Sequence, residues 1–260
     1  MNSLPRCFLP ASDWMEGVPI PVPPEETHHL ARVLRVVPGE KVRVFDGAGR
    51  EADAEVESSG RLGLSVRLRQ SIVHPRPPAH VVLYQAILKS DRMDEVVQKA
   101  VELGVAEWVP VAAEHSVVKL APDKAEARLE RWRKIALGAA RQSGNPFLMD
   151  VRDPVTAGIS GTAVARLDLA LIGSLAPGAR PLWEALIDIR HQRGVRIGLW
   201  MGPEGDWSAA EYAAFRQAGV KPVTLGPLVL RAETATFYGL SVIGAAFTAG
   251  SGSGPTPAGL

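Results

Sequence analysis

Residues 197–211 read IGLWMGPEGDWSAAE, and this stretch decides how the second part of the chain is interpreted. Its first five residues form a short apolar run, which is typical of a buried strand or of one turn of a buried helix. The Gly-Pro pair that follows ends the run. Ser208 stands three residues before Glu211, the spacing of a capping box, so we predict a helix over about 208–218.

The turn between this strand and this helix, GPEGDW at 202–207, allows two interpretations. Its two glycines let the backbone approach a ligand closely, and its proline fixes the path of the chain. Glycine turns are also ordinary at strand-to-helix junctions, where they only reverse the chain. Local geometry leaves both interpretations open.

Apolar runs alternate with helical patterns over most of the chain beyond residue 79. Strand-like runs fall at 80–88, 108–111, 167–175, 196–202 and 221–227. Helices are predicted at 92–103 with Asp91 as N-cap, at 122–140 and at 230–249. This alternation indicates a largely parallel sheet with helices on both faces, a fold that binds ligands outside the carboxyl ends of its strands.

The first part of the chain has a different pattern. The segment KVRVFDGAGREADAEVESSGRLGLSVRLRQ, residues 41–70, alternates apolar and polar residues around Asp-Gly and Ser-Gly pairs, as β-hairpins do. We therefore predict a small β-barrel. The segment HPRPP at 74–78 then indicates a stiff boundary, because consecutive prolines disfavour a helix and cannot donate to a sheet.

Composition excludes several classes of protein. The 29 Lys and Arg residues against 28 Asp and Glu give a net charge of +1, so any site for a polyanion must be local. Cys7 is the only cysteine, which excludes an internal disulfide and fits a reducing compartment. The histidines show no metal-ligand spacing, and no apolar run is long enough for a signal peptide or a membrane span. We expect a cytoplasmic protein without a metal, with a flexible tail at 250–260.

Three loops at the predicted carboxyl ends of strands are rich in glycine: GSLAPG at 173–178, GPEGD at 202–206 and GPLVLRAET at 226–234. The three loops could form one pocket, or their glycines could only allow strands to end and helices to pack. The dinucleotide fingerprint GxGxxG, the P-loop and the GxSxG elbow do not occur in the sequence. The common phosphate-binding and acyl-transfer motifs are therefore unsupported.

Four motifs, in this order, carry a resemblance to a known family: HHLARVLRVVPGEKVRVFDGAGREADAEV, DRMDEVVQKAVELGV followed by SVVKL, GLWMGPEGDWSAAE, and VTLGPLVLRAETA. The chain resembles the bacterial RsmE family of SPOUT-class methyltransferases from about residue 6 to residue 246. The resemblance implies an α/β fold with two parts. These are an N-terminal PUA-like β-barrel that binds RNA, at 1–73, and a C-terminal SPOUT domain with an α/β trefoil knot, at 79–249.

The resemblance also implies an activity. Members of the family methylate N3 of a uridine in the 16S ribosomal RNA of the small subunit, with S-adenosyl-L-methionine as the donor and a homodimer as the working unit. The expected partners are the free small-subunit RNA or the assembled 30S particle. We expect the last helix, from Ala232 to Phe247, to contribute to the dimer interface.

The three glycine-rich loops are implied to bind the cofactor, mostly through backbone groups. The positions carried over from the family are Ser174, Leu175, Gly202, Glu204, Gly205, Leu225, Gly226, Leu230 and Ala235. A bulky residue in place of one of these glycines should abolish binding.

The reaction makes separate demands on side chains. Methyl transfer is an in-line displacement, so the enzyme must mainly align the nucleophile with the donor. Uracil N3 carries a proton that must leave, which requires a base and a cation or hydrogen-bond donors at the flanking carbonyl oxygens. Arg231 is the candidate cation, and Glu204 or Glu233 the candidate base. Glu233 could instead stabilise the start of a helix, and Arg231 could contact a phosphate or the cofactor carboxylate.

Basic residues in both parts of the chain are candidates for contacts with RNA phosphates: Arg6, Arg32, Arg35, Lys89, Arg92 and Arg141. Any one of them could also be a solvated surface charge. Arg35 is the best supported of the set, because it lies within a motif that resembles the family.

Three positions depart from the family pattern. Leu228 and Asn145 stand where arginine is usual, and Asp206 stands where glycine is commoner. The two lost charges motivate alternative hypotheses: an RNA-binding homologue with weak or no catalysis, or a methyltransferase that acts at a different RNA site. A third hypothesis is a ligand-binding or scaffold protein in which the glycine loops are only structural.

Overall fold

A computed structural model describes residues 4–10, 14, 17–60, 63–118 and 122–248 of the chain. The described residues fall into two compact units. The N-terminal unit contains the described residues up to 76 together with Ala140–Leu148, and the C-terminal unit contains the described residues of 77–139 and 149–248. The tail at 250–260, for which the sequence predicts flexibility, lies outside the described residues.

The N-terminal unit is built on a five-stranded sheet. Its strands are β1 Arg6–Phe8, β2 Pro19–Pro21, β3 Lys41–Phe45, β4 Arg50–Gly60 and β5 Gly63–Val73. They lie in the order β1-β3-β4-β5-β2, with β1 parallel to β3 and the other neighbours antiparallel. A short helix α1, Pro24–His28, and a π-helical turn, His29–Val33, follow β2. The predicted hairpins are therefore confirmed.

The alternating pattern of these strands forms the core of the N-terminal unit, because successive side chains of a strand point to opposite faces of the sheet. Val42 and Val44 of β3 pack with Ala52 and Ala54 of β4 and with Val66 of β5. All five side chains are buried.

The segment Ala140–Leu148 was not predicted to join this unit. Phe147 forms a β-bridge with Gly47, and the backbone N–H of Leu148 donates to the Gly47 carbonyl at 2.9 Å. Asn145 organises the segment locally, because its side-chain oxygen accepts from the backbone N–H of Phe147 at 3.0 Å.

The C-terminal unit is an α/β layer structure. Its strands are β6 Ala79–Ala86, β7 Glu107–Ala112, β8 Asp150–Val151, β9 Val155–Thr156, β10 Leu169–Gly173, β11 Arg180–Pro181, β12 Val195–Met201 and β13 Lys221–Thr224. Its helices are α2 Ser90–Glu102, α3 Pro122–Ser143, whose last turn belongs to the N-terminal unit, α4 Ala157–Gly161, α5 Leu182–Leu186, α6 Ala209–Gln217 and α7 Ala232–Thr248.

Every strand pair of this second sheet is parallel, as the sequence predicts. The order is β11-β13-β10-β12-β6-β7-β8, with β9 also on β7. Because the pairs are parallel, the carboxyl ends of β10, β12 and β13 meet at one edge.

Helices cover both faces of the sheet. On one face Tyr84 stacks on Trp200, with 4.0 Å between ring centroids, and Trp200 packs against Phe215 of α6. On the other face the hydroxyl of Thr236 in α7 donates to the side-chain oxygen of Gln85 at 2.7 Å. Gln85 neighbours Tyr84 in β6, so the two faces follow the period of two along that strand.

The helix boundaries confirm one predicted cap and correct another. Ser208 is the N-cap of α6, and its capping box with Glu211 is complete. The prediction that Asp91 caps α2 is wrong, because the helix begins at Ser90 and its N-cap is Lys89, with extended backbone angles of −58° and 148°. Asp91 lies instead in the first turn, where a negative charge is favoured by the helix dipole.

The two long helices differ from their predicted limits. Helix α3 continues to Ser143, three residues beyond its predicted end, and α7 begins at Ala232, two residues after its predicted start. Across the described residues, none of the helices has both the length and the apolar character needed to span a membrane.

Candidate active site

A cleft of about 450 Å³ lies where the loops that follow β10, β12 and β13 meet. A volume of this size is typical of sites for small molecules and cofactors. Of the predicted cofactor positions, all but Gly205 line it: Ser174, Leu175, Gly202, Glu204, Leu225, Gly226, Leu230 and Ala235. The cleft therefore lies at the carboxyl edge of the parallel sheet, where this class of fold binds ligands.

Gly205 lies beside His115 rather than on the cleft surface. The Nδ1 atom of His115 is 3.0 Å from the carbonyl oxygen of Gly205 and 3.1 Å from that of Asp206. These contacts tie the second loop to the segment after β7. Gly205 thus packs against His115 on the side of the loop away from the cleft. Its role as a cofactor contact stays a prediction.

Two glycines of the cleft are required for different physical reasons. Gly226 has a φ of +128°, a conformation that residues with a Cβ rarely adopt, although a Cβ there would meet nothing within 4 Å. Gly202 has an ordinary φ, but a Cβ would lie 3.1 Å from Nε1 of Trp207. The first glycine therefore provides a backbone conformation, and the second leaves room for the side chain of Trp207.

A group of three charged side chains occupies one side of the site. Nη1 of Arg92, at the start of α2, lies 3.3 Å from Oε1 of Glu204 and 3.7 Å from Oε2 of Glu233. Arg92 and Glu204 line the cleft, whereas Glu233 is not among its lining residues. The sequence predicted Arg92 as an RNA contact, and the structure places it beside both candidate bases.

Arg231 is the second cation on the cleft surface. It precedes α7, and its side chain is exposed. Unlike Arg92, it forms no ion pair with any residue that the structure describes. A guanidinium in this state is available to an anion or to a developing negative charge in the cleft.

Asp206 and Tyr212 form a second polar group that sequence reasoning missed. Asp206 lines the cleft with a positive φ of 59°, and its Oδ1 accepts from the Trp207 backbone at 2.8 Å and from the Tyr212 hydroxyl at 2.9 Å. Burial raises the pKa of Tyr212 to about 12, the hydrogen bond with Ser174 opposes this, and Asp206 adds to it. Because Tyr212 contacts Asp206 and Ser174, it links the first and second loops.

The basic residues predicted to contact RNA differ in their surroundings. Arg32, Arg35 and Lys89 are exposed, and Arg35 has a positive φ of 57°. Arg6 is mostly buried, pairs with Glu51 and lies over the Phe45 ring.

Arg141 is held by a buried carboxylate of its own unit. Its Nη1 lies 3.1 Å from Oε1 of Glu26, whose Oε2 accepts from the Phe8 backbone at 2.9 Å. Burial raises the pKa of Glu26, while that hydrogen bond and Arg141 lower it.

The described residues contain no group of three or more His, Cys, Asp or Glu side chains that could bind a metal ion.

Both parts of the chain match known families of protein domains. A model of an RNA methyltransferase domain matches residues 75–244, and a model of an RNA methyltransferase PUA domain matches residues 22–69. The chain is therefore an RNA methyltransferase with a PUA-like domain and a SPOUT-type methyltransferase domain.

Curated relatives define the family more narrowly. The chain is 34% identical over 226 residues to the ribosomal RNA small subunit methyltransferase E of Mycobacterium bovis, covering 85% of this chain and 84% of that protein. The enzyme of the same name from Bacillus subtilis is 31% identical over 223 residues, covering 84% and 87%. The chain belongs to the ribosomal RNA small subunit methyltransferase E family.

Solved structures agree with this assignment. The ribosomal RNA small subunit methyltransferase E of Neisseria gonorrhoeae, bound to S-adenosyl methionine, superposes with a TM-score of 0.80 at 31% identity and covers 93% of this chain and 97% of its own. A putative methyltransferase from Legionella pneumophila, in complex with the same cofactor, superposes with a TM-score of 0.83 at 31% identity, covering 94% and 98%.

Proposed function

We propose that the protein methylates N3 of a uridine in the RNA of the small ribosomal subunit, with S-adenosylmethionine as the methyl donor. The observation that carries this proposal is the cleft itself. Its lining holds the Arg231 guanidinium, which has no ion pair with a described residue, the Glu204 carboxylate, and a loop whose backbone at Gly226 has a conformation that favours glycine. Two relatives with the same fold hold this cofactor.

The residues present fit the cofactor. The cleft has the volume of a small-molecule site, and at Gly226 the backbone carries no side chain that would keep a ligand at a distance. Bound there, S-adenosylmethionine would supply a methyl group that its sulfonium activates. The loops would orient it, which is the main task in an in-line displacement.

The side chains provide for the proton and the charge of uracil. Glu204 lines the cleft and is the candidate that accepts the N3 proton. Arg231 lines it as well, and its guanidinium can donate to a uracil carbonyl oxygen as negative charge develops there. Glu233 lies behind Arg92, so among the two candidate bases the geometry favours Glu204.

Contacts with RNA phosphates are proposed for the exposed basic residues Arg32, Arg35 and Lys89. Such contacts position the RNA and do not specify its sequence. Arg6 and Arg141 have carboxylate partners within their own unit, so their charge is already neutralised.

We also propose a homodimer in which α7 contributes to the interface. Static light scattering at micromolar protein concentration tests this proposal.

The test is methylation of small-subunit particles, and of their free RNA, that lack the modification. With labelled S-adenosylmethionine, the wild type should yield 3-methyluridine as the product nucleoside. Arg231→Gln should lower kcat by about 100- to 1,000-fold, the usual loss for one donor to a developing oxyanion. Arg216→Gln, an exposed arginine on α6, is the matched control and should leave the rate unchanged.

A different methylated nucleoside would refute the N3 assignment. The absence of any product at high enzyme concentration would favour the second candidate function, RNA binding without catalysis. Leu228 motivates that candidate, because it is 74% exposed on the cleft lining where the family usually has arginine. In that case the RNA should bind tightly and no methyl group should be transferred.

A further inference from the structure

Arg92, Glu204 and Glu233 come from three different elements and meet at one atom. Arg92 lies in the first turn of α2, Glu204 in the loop after β12, and Glu233 in the first turn of α7. Both carboxylates face Nη1 of the same guanidinium, at 3.3 Å and 3.7 Å. The register of β6 beside β12 brings this arrangement together, because α2 starts just after β6 and the Glu204 loop just after β12.

The two side chains that line the cleft, Arg92 and Glu204, are partly exposed, and Glu233 is the most buried of the three. Arg92 is 31% exposed, Glu204 24% and Glu233 12%. Oε2 of Glu233, the atom that faces Arg92, is buried without a hydrogen-bond partner among the described residues. A buried carboxylate oxygen of this kind is unfavourable unless a cation lies close to it, and Arg92 is that cation.

The cleft-facing carboxylate depends on the same guanidinium. Glu204 is partly exposed and lies on a loop, and no ion pair of Glu204 other than the one with Arg92 is found within the described part of the chain. Without Arg92, two carboxylates would face each other without a cation between them, and repulsion would turn Glu204 away from its present position.

We propose that Arg92 is a positioning residue of the methyl-transfer reaction. Glu233, which does not line the cleft, fixes the position of the Arg92 guanidinium, and Arg92 in turn holds the Glu204 carboxylate toward the bound uracil. This inference rests on the proposed function. It replaces the expectation that Arg92 contacts an RNA phosphate, and it gives Glu233 a supporting role in place of that of a base.

The two roles of Arg92 predict different kinetics. A phosphate contact contributes to RNA affinity, so its loss raises KM for RNA and reduces the salt dependence of binding by about one unit of slope. A positioning residue acts in the chemical step, so its loss lowers kcat and leaves KM nearly unchanged. Misplacement of a reacting group by about 1 Å can lower the rate by about 100-fold.

The experiment compares Arg92→Gln and Arg92→Lys with the wild type on small-subunit RNA, together with calorimetric titration of S-adenosylmethionine. Arg92→Gln should lower kcat about 100-fold, with KM for RNA and Kd for the cofactor changed by less than about threefold. Arg92→Lys keeps the positive charge and should recover at least about tenfold of that loss. Glu233→Gln should lower kcat less, and the double variant should lose no more than Arg92→Gln alone, because the two residues act as one unit.

Arg131→Gln is the matched control. Arg131 lies on α3 and pairs with Asp94, which is on the same helix as Arg92. Neither residue of this pair lines the cleft, so the variant should retain wild-type kcat. Thermal unfolding of every variant separates lost folding from lost positioning, and the Lys variant provides the readout if the Gln variant does not fold.

Three results would overturn the inference. They are a raised KM for RNA with unchanged kcat in Arg92→Gln, a weakened cofactor Kd that accounts for the whole loss, and additive losses in the double variant. If the wild type transfers methyl groups and Arg92→Gln equals it, this inference alone fails. If the wild type transfers none, the proposed function fails and takes the inference with it.

Discussion

Replacing Gly226 by alanine tests whether the cleft depends on the backbone of its third loop. Gly226 has a φ of +128°, and a Cβ at this position would meet no atom within 4 Å. Alanine therefore adds no steric clash, and the whole effect comes from backbone strain. A non-glycine residue held in such a conformation costs about 1–3 kcal/mol.

The strain can lower either the stability of the protein or its affinity for the cofactor, and the two effects can be measured separately. If the loop keeps its conformation, the free energy of unfolding falls by about 1–3 kcal/mol, and Tm falls by about 2–12 °C for a chain of this size. If the loop relaxes instead, S-adenosylmethionine must restore it on binding. Its Kd then rises by about 5- to 150-fold, which is the same energy expressed as affinity.

Calorimetric titration with S-adenosylmethionine and thermal unfolding are the two assays, and Gly219→Ala is the control. Gly219 follows α6, has a φ of +88° and also has open space around a Cβ, but it does not line the cleft. It should lose stability without losing affinity. The reasoning is refuted if Gly226→Ala changes neither the Kd for S-adenosylmethionine nor Tm. It is also refuted if Gly219→Ala raises that Kd by as much as Gly226→Ala does.

Three further predictions concern charge, titration and capping. Leu228→Arg should strengthen RNA binding and steepen its salt dependence by about one unit of slope, with stability changed by less than about 0.5 kcal/mol, since Leu228 is exposed; unchanged binding at low and high salt would contradict this. Because the pKa of Tyr212 is raised to about 12 in the folded state from its ordinary 10, the unfolded state loses its proton first, and stability should fall as pH rises from 10 towards 12. Urea unfolding should show this fall to be steeper in the wild type than in Tyr212→Phe, and equal slopes would argue against a buried phenol. Ser208→Ala removes the capping box of α6 and should lower the free energy of unfolding by about 1 kcal/mol in the same assay, whereas Ser58→Ala, at an exposed serine of β4, should have little effect.

Two local features could be predicted from the sequence because they depend only on residues close together in the chain. The capping box of Ser208 and Glu211 requires only a spacing of three residues, and the β3–β4 hairpin only alternation around an Asp-Gly pair. The same reasoning failed at α2, where Asp91 is a better N-cap by residue type than Lys89. The helix instead starts two residues earlier than predicted, at Ser90, directly after the extended backbone of Lys89.

Features that depend on contacts distant in the chain could not be read in this way. Phe147 bridges to Gly47, one hundred residues earlier, and no periodicity indicates such a partner. The meeting of Arg92 with Glu204 likewise follows from the register of β6 against β12. The predicted cofactor positions came only from the resemblance of the motifs to a family, since the glycine loops alone allowed a purely structural interpretation.

The distribution of charge in the cleft explains how the site could work despite the two departures from the family pattern. Asn145 belongs to the N-terminal unit, where its side-chain oxygen accepts a hydrogen bond from the Phe147 backbone N–H. Leu228 removes a cation from the cleft lining itself. Of the two arginines that remain on that lining, Arg92 lies between two carboxylates and Arg231 has no ion pair with a described residue. In the proposed reaction, the positive charge for a uracil oxygen therefore comes from Arg231, and substitution of Arg231 should lower the rate more than substitution of Arg92.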